Sequence, residues 1–365
     1  MILNSIQIEN FRNITKAKIT LGEKLNLVLG VNAAGKTSFL EAIHFVTTGR
    51  SFRGARENTL INHNSSFARL VGTIQSREGE RIIEMAFDRQ GKKRLSVDKV
   101  SLKRMSELLN LSAVVSVAPS DIVIIVGPPD NRRRFLDTVL SHCFPAYLSS
   151  LSSYTKALRQ KNALLREQGG TDFKQLDIWN KQLTEYGEYI LSKRLLFMDF
   201  LKKRGKEIYY SLSKNEEVEF AYSGSFAFHK RETIRGDFQK ALNENLKREL
   251  KLRQSVIGIH RDNIRTTIDR KPVRQYGSRG QQRCAMISMK FAALEFMERI
   301  RNEKPLLLLD EAVSELDEKR SVNLLGLSAS VGQVIIASTF QPREVKLDSK
   351  TKFFEIADGN ITPLL

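Results

Sequence analysis

The chain has little of what staples a small secreted fold or crosses a membrane. Only two cysteines, Cys143 and Cys284, occur in 365 residues. Two thiols in so long a chain make no disulfide framework, and both sit in apolar, helical stretches. A reducing, cytoplasmic setting and buried packing are therefore expected. Long hydrophobic runs are also missing. Ile122–Val126 and Leu306–Leu309 are far too short to span a bilayer, so no membrane association is expected. The opening MILNSIQIENFRN alternates apolar and polar residues and then reaches Arg12, which reads as a strand and not as a signal peptide. Without secretion, the Asn-x-Ser/Thr matches at Asn13, Asn64, Asn110 and Asn360 are chance. No internal repeat, low-complexity tract or sustained heptad pattern is evident, and no histidine follows His260.

Charge of one sign is in excess, and unevenly. The net charge is +18, yet from Cys284 onward 10 basic side chains face 12 acidic ones, so Met1 to Arg283 carries +20. That bias suggests a polyanionic partner, most simply nucleic acid, against the plainer alternative of an idle basic surface.

One stretch organises the chain. Leu25 to Glu41 reads LNLVLGVNAAGKTSFLE. An apolar strand runs into Gly30-Val31-Asn32-Ala33-Ala34-Gly35-Lys36-Thr37, and a helical pattern follows. This is G-x-x-x-x-G-K-[ST] in its required context. Gly30 and Gly35 let successive N–H groups turn inward around phosphate oxygens. The helix start adds its partial positive charge. Lys36 suits the β- and γ-phosphates of ATP, and the Thr37 hydroxyl suits Mg²⁺.

Around this stretch the ends of the chain read as α/β and the middle as helical. Residues 2–9, Lys16–Thr20 and Leu25–Leu29 are predicted strands. Arg69–Gln75, Arg81–Phe87 and Arg94–Val97 suggest an antiparallel sheet beside the nucleotide-binding one. Leu102–Leu109 reads as a short helix, and Ser112–Val117 and Ile122–Val126 as strands. Helices are predicted near Tyr147–Arg166, Phe173–Leu212 and Thr233–Leu252, with a strand at Val218–Tyr222. Ile264–Ile268, Leu306–Leu309 and Val334–Ala337 are further strands, and Phe353–Ile356 begins a closing hairpin. The expected organisation is one nucleotide-binding fold assembled from residues 1–130 and 256–365, with a helical lobe, 131–255, inserted between them.

Two distant pieces complete a candidate site. Leu306–Leu309 ends in Asp310-Glu311. Asp310 suits a direct or water-mediated Mg²⁺ contact, and Glu311 a base that polarises the attacking water, a role worth ~10²–10⁴ in rate. Ser278-Arg279-Gly280-Gln281-Gln282 precedes a helix and offers a hydroxyl and free N–H groups to a second anion. The alternative is an ordinary capped helix. Arg132-Arg133-Arg134 opens another helix, a poor place for three cations, and so suggests a partner or interface. Lys202-Lys203-Arg204 and Lys240, Lys247, Arg248, Lys251 and Arg253 are candidate DNA contacts, for which solvated helix faces are the competing explanation.

Together these motifs resemble the ABC-type ATPases of the SMC branch, and closely the bacterial RecF family. The residues that carry the resemblance are Asn10-Phe11-Arg12-Asn13, the loop Gly30–Thr37, Gly127-Pro128-Pro129 with Arg132–Asp137, His260-Arg261-Asp262, Ser278–Arg283, and Asp310-Glu311 with Ser314–Asp317. The resemblance implies an α/β ATPase head of the ABC/SMC type with a helical lobe in place of a long coiled coil. It implies an ATP-dependent homodimer in which Ser278 and Gly280 of one copy meet the γ-phosphate held by the other. Ser314–Asp317 would cross that interface, and Arg12 would approach the phosphates. It further implies recombinational repair and replication of single-stranded, gapped or duplex DNA, help in recombinase loading and SOS induction, RecR and RecO as partners, and slow, DNA-stimulated hydrolysis. Ala33 stands where a further glycine is usual, and Ser338-Thr339 where transporter ATPases place a switch histidine.

Three other readings compete. His260-Arg261-Asp262 mimics a kinase catalytic loop, but Thr267 stands where its asparagine should be and no Asp-Phe-Gly exists. A transporter ATPase subunit would show a switch histidine and would not carry the basic helical insert. A nonenzymatic ATP-gated DNA-binding protein shares every motif except a working Glu311.

Overall fold

The computed structural model describes residues 1–103, 106–167, 172–214, 216–228, 230–312, 316–341 and 351–364. The chain divides into two compact units. The first comprises Met1–Ile122, Ser211–Lys214 and Met286–Leu365, and the second Val123–Tyr210 and Asn215–Ala285.

Two six-stranded sheets and a buried helix build the first unit. The strand Ile2–Phe11 pairs antiparallel with Ile14–Thr20 on one side and Phe67–Ser76 on the other. Gly79–Asp88, Lys93–Val97 and Val100–Ser101 extend that sheet by hairpins. A register shift between Leu3 and Ser5 changes which residues of the first strand face inward. Before it Leu3 is buried, and after it Ile6 and Ile8 are. One extra residue in a period-two strand has that effect.

The second sheet runs Asn360–Leu364, Lys352–Ala357, Leu25–Leu29, Val334–Ser338, Leu306–Asp310, Val114–Val117. All its pairings are parallel except that of the closing hairpin. Leu306, Leu307, Leu308 and Leu309 are all buried, as an unbroken apolar run must be when both faces of a parallel strand are covered. The strand Val334–Ser338 lies between Leu25–Leu29 and Leu306–Asp310. The phosphate loop and Asp310 therefore leave the same carboxyl edge one strand apart, where open α/β sheets bind ligands.

The helix Lys36–Thr48 packs against strands of both sheets. Its faces carry Phe39, Leu40, Ile43, Phe45 and Val46, all buried, so it is apolar nearly all round, as a helix between two layers should be. A side chain also ties sheet to sheet. Gln333 is fully buried. Its Oε1 accepts from the Leu3 N–H at 2.7 Å, and its Nε2 donates to the Leu3 carbonyl at 2.9 Å and the Gly22 carbonyl at 2.7 Å.

The second unit is mainly helical, with Pro129–Cys143, Pro145–Leu164, Phe173–Phe200, Ile234–Glu244 and Leu246–Leu252. The predicted helix Phe173–Leu212 forms with a π segment at Leu201–Gly205. A Cβ on Gly205 would lie 2.8 Å from Leu201 Cδ1 and 3.0 Å from Phe220 Cε2, so close packing on the strand Val218–Ser223 demands glycine there. Residues 256–285, expected with the C-terminal part of the head, group with this unit. Their strand Asn263–Ile268 pairs antiparallel with Val218–Ser223.

The expected strand Ile122–Val126 does not form. A 3₁₀ turn spans Pro119–Ile122 and a helical turn Val123–Val126. The β-branched run favours a strand, but tertiary contacts decide otherwise. Buried Arg132 uses one nitrogen, Nη1, to reach the carbonyls of Ile124 at 3.2 Å, Ile125 at 3.3 Å and Gly127 at 2.9 Å, which rewards a coiled backbone. This also removes the awkwardness of a cation at a helix start.

Replacing Gln333 with leucine keeps the volume but strands the Leu3 N–H in the interior and removes the side-chain donor to the Leu3 carbonyl, while the Gly22 carbonyl keeps Asn26 Nδ2 at 2.9 Å. Each such group costs ~1–3 kcal/mol, so Gln333→Leu should lower unfolding stability by about 3 kcal/mol after partial relaxation. Urea unfolding followed by circular dichroism measures it, and an unchanged midpoint would show that the clamp contributes nothing.

Candidate nucleotide-binding site

The phosphate loop is shaped by close approach. A Cβ on Gly30 would sit 2.4 Å from the Ile356 carbonyl oxygen, so the neighbouring strand leaves room only for glycine. Gly35, at φ 120°, precedes the helix. Ala33 adopts the left-handed region at φ 66°. An alanine there costs roughly 1 kcal/mol more than a glycine would, so the loop keeps its shape at a small strain. Asn13 Nδ2 donates to the Ala34 carbonyl at 3.1 Å, and the Gly359 N–H reaches the same oxygen at 2.9 Å. The hairpin at the chain's end and the corner after the first strand thus both brace the loop.

Lys36 is buried. Its Nζ donates to the carbonyls of Gly30 at 2.8 Å and Val31 at 3.0 Å, and lies 3.0 Å from Glu311 Oε1. Thr37 Oγ1 donates to Asp310 Oδ1 at 3.0 Å across 273 positions of sequence. Burial pushes the Asp310 carboxyl up to about 6, against the lowering effect of the Thr37 hydrogen bond and with a further push from Glu311. Glu311 has φ 50°, an uncommon value for a glutamate, and its N–H donates to the Ala337 carbonyl at 3.1 Å. Its side chain keeps 21% exposure. Strained backbone at a strand end is where functional groups are often held.

Lys36, Thr37 and Glu311 face a cleft of ≈ 790 Å³ that is also lined by Arg12, Asn13, Asn32, Ala33, Gly35, Ser38, Arg53, Thr59, Ile61, Asn62, His63 and Asn64. That volume suits a nucleotide. A Mg²⁺ ion fits the donor chemistry, because Thr37 and Asp310 present hard oxygen ligands side by side. Among the described residues no group of His, Cys, Asp and Glu could hold a metal by protein ligands alone. Mg²⁺ usually takes few protein ligands and the rest from phosphates and water.

The expected phosphate contact Arg12 lines the cleft, but its guanidinium is already engaged. It forks onto fully buried Glu41, with Nε to Oε2 at 2.9 Å and Nη2 to Oε1 at 3.2 Å, while Nη1 donates to the Thr59 carbonyl at 3.0 Å. The Ser51 hydroxyl also donates to Glu41. Arg53, by contrast, lines the cleft with no hydrogen-bond or ion-pair partner for its guanidinium among the described residues, and its charge acts on the Asp310 carboxyl. Sequence reading passed over Arg53, Thr59, Ile61, Asn62 and His63, and saw Asn64 only as a chance sequon.

Ser278 and Gly280 belong to the second unit, and the phosphate loop to the first. Ser278 is exposed and Gly280 partly so. The Ser278 N–H donates to Gln281 Oε1 at 2.7 Å and the Gln281 N–H to Ser278 Oγ at 3.2 Å, a reciprocal cap at the start of Arg279–Arg301. Gln282 Nε2 closes the loop onto the Val273 and Gly277 carbonyls. Ser314 and Glu315 lie outside the described residues. Asp317 caps the next helix, accepting from the Arg320 N–H at 3.0 Å.

The remaining motifs have structural partners. Arg133 donates to the Asp262 carbonyl at 2.8 Å. Buried Asp262 accepts from Tyr222 at 2.5 Å and from the Ser225 N–H at 2.8 Å. His260 Nδ1 pairs with the Tyr154 hydroxyl at 2.8 Å, and burial pulls the imidazole down to about 4. Of the arginine cluster only Arg134 is exposed.

A glycine loop closed on a parallel sheet, with a lysine and threonine meeting an acid-ended strand, defines a P-loop ATPase head. The comparisons narrow the class. The family described as RecF/RecN/SMC N terminal domain matches residues 2–360. A "DNA replication and repair protein RecF" of Natranaerobius thermophilus is 35% identical over 100% of this chain and 98% of its own length. One from Clostridium perfringens is 33% identical over 99% of each. A solved structure described as the recombination mediator protein RecF-ATP in the RecFOR pathway superposes with TM-score 0.90 at 32% identity, covering 100% of this chain and 98% of that one. An Smc head domain from Pyrococcus furiosus shares the fold at TM-score 0.58 and 14% identity, covering 100% of this chain and 96% of that one. The chain belongs to the RecF/RecN/SMC family, and within it to the RecF proteins.

The pairing of Thr37 with Asp310 predicts a metal-dependent affinity. Wild type should bind ATP about tenfold or more tightly with Mg²⁺ than in EDTA, since a charge-assisted contact is worth ~1.5–3 kcal/mol. Asp310→Asn should lose most of that ratio while keeping the EDTA affinity. Competition against a fluorescent ATP analogue reads both numbers, and an unaltered ratio would remove Asp310 from the metal site.

Proposed function

We propose that this chain is an ATP-gated DNA-binding protein of recombinational repair and replication. It dimerises face to face on ATP, hydrolyses it slowly, and works with RecR and RecO on single-stranded, gapped or duplex DNA. The observation that carries the reading is the contact of Lys36 with Glu311 beside that of Thr37 with Asp310. A triphosphate entering the loop competes for the Lys36 ammonium. As Lys36 turns to the β- and γ-phosphates, Glu311 loses its cation and is free to orient and deprotonate a water. Thr37 and Asp310 would hold Mg²⁺, which when bound neutralises charge building on the phosphate oxygens. The loop N–H groups and the helix start at Lys36 supply fixed positive ends that need no rearrangement.

Two features support slow turnover and a clamp-like use of ATP. No histidine follows His260 in the sequence. The strand Val334–Ser338 ends in a buried serine whose hydroxyl accepts from the Phe340 N–H at 3.3 Å, so a neutral group occupies the switch position. Exposed Ser278, presented by a rigid capped loop, suits contact with a second copy.

Glu311→Gln keeps the shape and removes the base. Phosphate release should fall by ~10²-fold or more while ATP binding survives. Equal rates in wild type and variant would leave a nonenzymatic ATP-gated binder as the better account. Ser278→Arg should abolish ATP-dependent dimerisation without loss of ATP binding, and light scattering with and without ATP reads it. A wild type that stays monomeric in ATP would count against the dimer.

A further inference from the structure

The segment Leu246–Leu252, with Arg253 after it, reads LKRELKLR and contains one acid among four cations. In sequence this looks like a mixed helix with one of its four cations offset. The structure separates the charges. Glu249 is fully buried, with Oε2 2.6 Å from the Nζ of equally buried Lys161 on the helix Pro145–Leu164. Its other oxygen, Oε1, accepts from the Ser255 hydroxyl and the Val256 N–H, each at 2.9 Å. The segment's one carboxylate is thus consumed inside the unit.

The charges that remain outside are all cationic, and Leu252 is exposed beside them. Lys247, Arg248, Lys251 and Arg253 are all exposed. None has an ion-pair or hydrogen-bond partner for its side-chain cation among the described residues. Spacings of three and four put Lys247, Arg248 and Lys251 on one helix face. Glu249 falls on the opposite side with Leu246 and Leu250. Burying an ion pair is costly in itself and often no more stabilising than an apolar pair. An outward Glu249 would have offset one of the four cations.

We propose that the face formed by Lys247, Arg248 and Lys251, with Arg253 at the end of the helix, is a binding surface for the phosphate backbone of duplex DNA. The assignment rests on the reading of the chain as a DNA-binding protein and locates that activity. No Phe, Tyr or Trp occurs between Asn245 and Gln254, so the face has no platform on which single-stranded bases could stack. A short helix whose exposed charges are all cations answers to charge density, which is highest along a duplex at one charge per about 1.7 Å. Binding there is therefore independent of sequence and strongly dependent on salt.

The test is the full chain carrying Lys247→Glu, Arg248→Glu and Lys251→Glu, compared with wild type on duplex and single-stranded DNA from 50 to 200 mM salt. A control carries the same charge change in the first unit, on exposed Lys16, Lys18 and Lys24. The face variant should bind duplex at least about tenfold more weakly at 100 mM salt, with its log–log salt slope reduced by about 0.9 for each phosphate it no longer neutralises. ATP affinity should be unchanged, which also shows that the variant is folded. The inference is overturned if duplex binding and slope match wild type, if the control loses as much, or if the loss appears only on single strands. It is equally overturned if the variant loses affinity for phosphatidylserine vesicles and not for duplex. A wild type that binds no DNA in 50 mM salt would overturn the proposed function as well, whereas an unaffected variant beside a binding wild type sinks this assignment alone.

Discussion

The site depends on one buried ammonium. Lys36 is held by two loop carbonyls and by Glu311, and these partners lie on opposite ends of the chain. A buried cation needs this many acceptors, because losing water costs it several kcal/mol. In the proposed function a triphosphate, with more negative charge than the carbonyls and the carboxylate, would displace them from Lys36, and the exchange that seats the nucleotide would also uncover Glu311.

The sheet makes that contact possible. Leu25–Leu29 and Leu306–Asp310 are both neighbours of Val334–Ser338, and all three run parallel. Parallel strands share a carboxyl edge, so whatever follows each of them converges. The antiparallel sheet contributes differently. It covers the helix Lys36–Thr48, and through Gln333 it is hydrogen-bonded to the layer beneath. The Arg12–Glu41–Ser51 cluster extends the same logic to the cleft wall, where a buried glutamate gathers two separate segments. Charge placement in the second unit obeys a related rule: Glu249 turned inward leaves a surface of one sign.

Much of this was legible from residues alone. The phosphate loop, the acid-ended strand and the capped Ser278 loop are short motifs whose geometry follows from their own residue types. A glycine before a helix and a Ser-x-x-Gln cap need no distant partner to be recognised. The antiparallel strands and long helices likewise carried their own periodicity. Failures fell where the deciding partner was remote. Ile122–Val126 has the composition of a strand, and Arg132 made it a turn and a helix. Arg12, expected at the phosphates, does line the cleft, and only the structure shows that its guanidinium also forks onto Glu41. Arg53 and the Asn62–Asn64 edge belong to no motif, because a cleft wall is defined only by what lies opposite it.

The sequence by itself determined the chemistry available: a phosphate-wrapping loop, a lysine and hydroxyl at a helix start, two carboxylates at a strand end, and a large basic excess. These are local properties, set by backbone freedom and side-chain type within a few residues. Only the tertiary structure decided which charges are spent and which are free. Lys36, Arg12 and Glu249 are paired, whereas among the described residues the side-chain cations of Arg53, Lys247, Arg248 and Lys251 have no hydrogen-bond or ion-pair partner. Pairing depends on distances of about 3 Å between groups far apart in the chain, and no local pattern encodes such a distance.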